Sequence, residues 1–103
     1  MNKLTHYSDL LDFYGKLLTD HQLNILQLYY NEDFSLQEIS EELNISRSAV
    51  LDVIKRTNNL LDNYENKLKL LEKFNQRVKV YEDLNIFQEN EKYVKILYEI
   101  EGE

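Results

Sequence analysis

The sequence predicts an all-α fold: a helix-turn-helix core followed by a long helical extension. Three observations carry this. The 103 residues contain no proline and only two glycines, Gly15 and Gly102, so the tight turns of an all-β chain have no material. Apolar residues recur at steps of three or four along the chain. Two Ser/Thr-x-x-Glu/Gln signatures, Thr19 to Gln22 and Ser35 to Glu38, mark helix starts. The length suits one domain over residues 1–103, with the helix-turn-helix at 35–56 and the extension at 60–103.

The elements follow in order. Leu10, Leu11, Phe13, Tyr14, Leu17 and Leu18 form the apolar face of a first helix, which Gly15 interrupts or ends. A second helix, capped by Thr19, runs through Leu23, Ile25, Leu26, Leu28, Tyr29 and Tyr30. Asn31-Glu32-Asp33 is a polar break. Ser35 caps a short third helix with Leu36, Ile39 and Leu43 inward, and Asn44 stops it, because asparagine tolerates the left-handed conformation. Ser46 caps a fourth helix. No strong breaker follows, and Asn58-Asn59 and Asp62-Asn63 are the weak points where this stretch is expected to divide or bend. Asp83-Leu84-Asn85 reads as a turn, and a last helix carries Tyr93, Val94, Ile96, Leu97 and Ile100.

Composition removes several function classes. Without cysteine there are no disulfides, thiolate zinc sites or thiol chemistry. His6 beside Asp9 and His21 beside Asp20 resemble acid–base pairs, but no nucleophile, metal set or glycine-rich phosphate loop accompanies them. We therefore expect a non-enzymatic protein without cofactor or metal. No apolar run approaches the ~20 residues of a membrane span. The first residues lack a basic-then-apolar leader pattern. The acidic last helix has the wrong sign for an amphipathic membrane anchor. A cytoplasmic location is expected.

The formal charge is -7, the wrong sign for a protein that coats nucleic acid. Its distribution is more informative. Met1 to Asn44 holds two lysines against eight acids; Ile45 to Glu82 holds eight basic residues against five acids; the remainder is acidic again. The basic middle includes the motif's second helix, with Arg47, Lys55 and Arg56. Ile39 and Leu43 face inward, Ser40 is the small residue at the helix crossing, Asn44 makes the turn, Ile45 plugs it and Val50 anchors the second helix.

In a helix-turn-helix the second helix reads nucleic acid. Its outward positions are Ser46, Arg47, Ser48, Leu51, Asp52 and Lys55, with Arg56 at the flank. Arg47 suits a guanine edge or a phosphate. Ser46 and Ser48 suit phosphate near the helix N-terminus, and Lys55 and Arg56 suit phosphate further along. Asp52 repels phosphate unless it meets a cytosine amino group. The plain alternative is that these charges solvate the helix and pair along it. Tyr14, Tyr29 and Tyr30 are expected as core rings with hydroxyls at the rim; the alternative is stacking on RNA bases. Leu61, Tyr64, Leu68, Leu71, Phe74, Val78 and Tyr81 form a stripe that must be covered, by the first helices of the same chain or by a second copy. We expect a homodimer.

Residues 26–30, 34–40, 45–50 and 54–57 resemble region 4 of bacterial sigma factors. The second helix departs from that pattern by carrying Leu51 and Asp52 and little arginine. Adding Asp12-Phe13-Tyr14-Gly15-Lys16-Leu17-Leu18-Thr19 and the stretch from Tyr64-Glu65-Asn66-Lys67-Leu68 to Phe74, the chain resembles the YlxM family of small bacterial helix-turn-helix proteins. The resemblance covers about Leu10 to Phe74. Genes of that family typically lie beside those for the signal recognition particle GTPase and its receptor. The resemblance therefore implies a regulatory or accessory part in that pathway, with the particle's components, DNA or RNA as partners.

Overall fold

A computed structural model describes residues 3–84 and 99–101. Helix α1 spans Lys3–Tyr14 and passes into a 3-10 turn at Gly15–Leu17. Helix α2 spans Asp20–Leu26 and widens into a π turn at Gln27–Asn31. Helix α3 is Leu36–Leu43, α4 is Arg47–Leu68 and α5 is Leu70–Asp83. Among the described residues there is no strand.

Both capping boxes form. The Gln22 amide donates to the Thr19 hydroxyl at 3.2 Å while the Thr19 amide donates to Gln22 Oε1 at 3.0 Å. The Glu38 amide donates to Ser35 Oγ at 3.1 Å and the Ser35 amide to Glu38 Oε1 at 3.0 Å. Each box satisfies two amides that the first helical turn leaves unpaired. Asn44 closes α3 in the left-handed region, with φ 55.

α4 is the spine of the fold. Val50, Ile54, Thr57 and Leu61 lie four, three and four residues apart and are all buried. They meet Leu10, Leu11 and Tyr14 of α1, Ile25 and Leu26 of α2, and Ile39 of α3 in one core. Complete burial of such an aliphatic side chain stabilises by about 1.5–3 kcal/mol. Thr57 is the odd member: it is fully buried, and its hydroxyl finds no hydrogen-bond partner among the described residues. A buried hydroxyl that has left water without a partner is a cost. Thr57→Val should therefore raise the unfolding free energy by about 1 kcal/mol, seen as a higher urea midpoint with an unchanged slope. A lower midpoint would show that the hydroxyl does have a partner.

Two expectations change, and two more fall largely outside the described residues. The second helix does not stay α-helical through Tyr30: the π turn inserts a residue, with the Glu32 amide donating to the Gln27 carbonyl at 3.0 Å. That turn is tied down from outside, by Tyr30 Oη donating to Asn58 Oδ1 at 3.0 Å and Ser8 Oγ to Asn31 Oδ1 at 2.9 Å. The long helix does not bend at Asn58-Asn59 or Asp62-Asn63. Those polar side chains receive hydroxyls instead, Asn58 from Tyr30 and Asp62 Oδ2 from Tyr7 at 3.0 Å. The break falls at Lys69, whose φ of 54 makes it at once the end of α4 and the start of α5. A left-handed non-glycine residue costs about 1–2 kcal/mol. Finally, the expected last helix falls mostly outside the described residues; residues 99–101 are helical, and Arg77 pairs with Glu101. The turn expected at Asp83-Leu84-Asn85 is seen only as the end of α5, since Asn85 lies outside the described residues.

Candidate nucleic-acid interface

Ser46 starts α4 by accepting the Ala49 amide on its hydroxyl at 3.0 Å, and the same hydroxyl lies 3.2 Å from Ser48 Oγ. Burying Val50 and Ile54 against the core turns the opposite side of the helix outward. All seven predicted positions lie there: Ser46, Arg47, Ser48, Leu51, Asp52, Lys55 and Arg56 are exposed. Ser40 is buried at the crossing of α3 and α4, with its hydroxyl donating to the Gln37 carbonyl at 2.9 Å. Ile45 is half-buried under the turn and packs on the core. The side chains the motif needs therefore hold the two helices, and the chemistry-bearing ones are left to solvent.

The charges on this face are partly satisfied internally. Asp52 Oδ2 lies 3.1 Å from Arg56 Nε, one helical turn away. The pair is well exposed, so it contributes little to stability and is screened by salt. Its effect is local: the one carboxylate on the reading face is offset by the flanking arginine. Arg47 and Lys55 enter no ion pair among the described residues. The neighbouring surface of α3 has the opposite sign. Glu38, Glu41 and Glu42 line a shallow concavity with Phe34, and hydrogen bonds from Ser35 hold the Glu38 carboxyl below the usual range. An approaching polyanion meets repulsion along α3 and attraction at the start of α4.

The stripe from Leu61 to Tyr81 is not one surface. Leu61, Leu71 and Phe74 are buried inside this chain, Tyr64, Val78 and Tyr81 are half-buried, and Leu68 is 46% exposed at the bend. Phe74 packs on Phe13, with ring centroids 5.6 Å apart, and Tyr64 on Tyr14 at 5.9 Å. Much of the stripe is thus covered by α1, the first of the two covers considered from the sequence.

Tyr14 is placed more deeply than expected, whereas Tyr29 and Tyr30 are half-buried and packed against the core. Tyr14 has no exposed surface, so its hydroxyl is not at the rim. It donates to Glu65 Oε1 at 2.6 Å and accepts the Leu70 amide at 3.1 Å. Glu65 also accepts the Leu71 amide on Oε1 at 3.1 Å and the Glu72 amide on Oε2 at 3.0 Å. These two side chains cap α5, a task Lys69 leaves undone. Burial, then the bond to Glu65, push the Tyr14 hydroxyl up to about 12. Burial, with Tyr29, Tyr7 and Asp62 nearby adding to it, pushes Tyr30 up to about 12 against the opposing effect of its hydrogen bond to Asn58. Sequence reasoning missed Glu65, because it lies seven residues before the last amide it serves and reads as a solvated helix position. Elsewhere, His6 faces Asp62 at 3.8 Å, not a nucleophile, and no helix among the described residues is long and apolar enough to cross a membrane.

A family described as "Putative helix-turn-helix protein, YlxM / p13 like" matches residues 1–100. A UPF0122 protein of Oceanobacillus iheyensis is 51% identical over 86 residues, covering 84% of this chain and 82% of that protein. One from Anoxybacillus flavithermus is 43% identical over 106 residues, covering 98% and 96%. The UPF0122 protein YlxM of Bacillus subtilis is 49% identical over 84 residues, covering 82% and 76%.

Proposed function

The chain belongs to the YlxM/p13-like helix-turn-helix family (UPF0122), and from that premise we propose that it is a non-enzymatic regulatory or accessory protein that engages nucleic acid through the start of α4. The observation that carries the reading is the joint exposure of Ser46, Arg47, Ser48, Leu51, Asp52, Lys55 and Arg56 on one side of that helix. Arg47 and the two serines meet the nucleic acid first, beside amides that favour an anion. Lys55 and Arg56 hold phosphate two to three turns further on. The Asp52–Arg56 pair offsets the carboxylate that would otherwise oppose binding. The pathway we assign is that of the signal recognition particle, on the family resemblance alone, with the particle's RNA or its GTPase, or DNA controlling neighbouring genes, as the partner.

The acidic side of α3 favours a second reading. Glu38, Glu41 and Glu42 suit a basic protein surface, which would make the helix-turn-helix a scaffold for an adaptor. Salt separates the two. Three phosphate contacts imply that a fourfold rise in salt weakens binding roughly 20- to 40-fold. Arg47→Ala should weaken it further, on the order of tenfold, and flatten the salt slope. Titration of labelled DNA and RNA by fluorescence anisotropy measures both. Flat curves at low salt with either polymer would end the nucleic-acid reading and leave the adaptor.

A further inference from the structure

Among the described residues, three outside glycine sit in the left-handed region: Asp33, Asn44 and Lys69. Asp and Asn have short polar side chains that ease this conformation, and both occupy turns. Lysine has no such side chain. Lys69 also stands alone between two helices, with Leu68 the last residue of α4 and Leu70 the first of α5. The sequence around it contains nothing that stops a helix: from Arg47 to Asp83 there is neither proline nor glycine. Leu61, Tyr64, Leu68 and Leu71 step by three, four and three across the break, as they would on one continuous helix.

What holds the bend is a small set of bonds made only when the elbow is closed. The amides of Leu70, Leu71 and Glu72 go to Tyr14 Oη and Glu65. In a straight helix the same three amides would bond carbonyls four residues back, and the cap would be redundant. The apolar contacts differ in kind. Phe74 on Phe13 depends on α5 lying against α1, not on which copy of the chain α5 comes from. With α4 straight, Phe74 would stand about 14 Å along the axis from Glu65, beyond reach of its own α1.

We propose that α5 is an exchangeable arm. Lys69 relaxes into the right-handed helix, α4 and α5 fuse, and the arm of each copy seats on α1 of a second copy. The occupant fits because it is chemically identical to the segment it replaces, which is the usual route to a swapped dimer. Leu68, 46% exposed at the bend, rejoins Leu61, Tyr64 and Leu71 on one face where the two long helices cross. The strain at Lys69 is released once per copy, and the closed-elbow bonds are given up once per copy. The two terms oppose each other and set the balance between monomer and dimer.

The test uses the full chain and substitutions that shift one of the two states against the other. Lys69→Gly removes the strain of the bend, so the dimer association constant measured by sedimentation should fall, on the order of thirtyfold to a thousandfold with two elbows per dimer. Tyr14→Phe takes the acceptor from the Leu70 amide, a bond made only with the elbow closed, so the constant should rise by a similar factor; the bond to Glu65 joins α1 to α4 and is lost from both states. Glu65→Gln should also raise it, which keeps the test available if Tyr14→Phe folds poorly. The chain has no cysteine, so spin labels at Asn59→Cys and Glu82→Cys, both exposed, report the shape. Dimers should show a separation near that of a straight helix, about 35 Å, and monomers a shorter one. The proposal is overturned if Tyr14→Phe and Glu65→Gln stay monomeric at high concentration, if Lys69→Gly and Tyr14→Phe shift association the same way, or if dimers keep the short distance.

Discussion

Tyr14→Ala should lower the unfolding free energy by about 3–5 kcal/mol, the range for removing a fully buried aromatic ring. The ring touches Tyr64 and Phe13, and its hydroxyl joins Glu65 to the first amide of α5. A small domain has roughly 5–15 kcal/mol in total. The variant should therefore be largely unfolded at modest urea, or should lose α5 first and the rest soon after. Tyr14→Phe separates the two contributions. It keeps the ring and removes the hydroxyl, leaving the Leu70 amide without its acceptor, for a cost of about 1–2 kcal/mol. Urea titration followed by helical circular dichroism measures both. A loss below about 1 kcal/mol for the alanine variant would mean that α1 repacks without the ring, and the account of Tyr14 as the joint between α1, α4 and α5 would fall.

The neighbours of Tyr14 give Phe13-Tyr14-Gly15 a physical meaning. Phe13 supports Phe74, Tyr14 caps α5, and a Cβ on Gly15 would stand 3.1 Å from Leu23 Cδ1. The glycine serves close packing between the end of α1 and α2, and its φ is ordinary. This element, which sets the chain apart from a generic helix-turn-helix, is thus the device that folds the arm back.

The helix-turn-helix was legible because each of its requirements is local. Ser35, Asn44 and Ser46 act on backbone groups within three or four residues, and Ile39, Ser40 and Val50 sit at fixed helical spacing. For the same reason, the outward positions of α4 could be named from residue type and period alone. The π turn and the bend at Lys69 are set by partners far along the chain: Tyr30 with Asn58, 28 residues apart, and Tyr14 with Glu65 and Leu70, 51 and 56 apart. No window of sequence contains both members of such a pair. The polar pairs Asn58-Asn59 and Asp62-Asn63 misled for the matching reason. Their side chains look like helix weakeners until the tyrosines that bond them are known. Within the candidate site, the pairing of Asp52 with Arg56 followed the four-residue rule, whereas the repelling surface of α3 emerged only when the two helices were set side by side.

Raising the pH from 10 to 12 should unfold the protein through its tyrosines. Tyr14 and Tyr30 each have a hydroxyl pushed from 10.0 up to about 12 by burial. A folded-state value above the unfolded one means that the native state prefers the neutral phenol. Their contribution is complete below pH 10, begins to fall as the unfolded chain ionises, and is gone once pH passes 12. Each group accounts for a linkage of order 2–3 kcal/mol, comparable with much of a small domain's stability. Strong alkali acts on the rest of the chain as well, so wild type alone is not decisive. Tyr14→Phe is: it starts less stable at pH 9, yet its stability should decline less steeply between 10 and 12 because one linked proton is missing. The phenolate absorbance provides an independent reading. Among the eight tyrosines a late phase of ionisation should coincide with loss of helical signal. If all the phenolate absorbance appears in one step near pH 10 while the helices persist, Tyr14 and Tyr30 are not held neutral by the fold. Equal slopes for wild type and Tyr14→Phe would say the same of Tyr14 by itself.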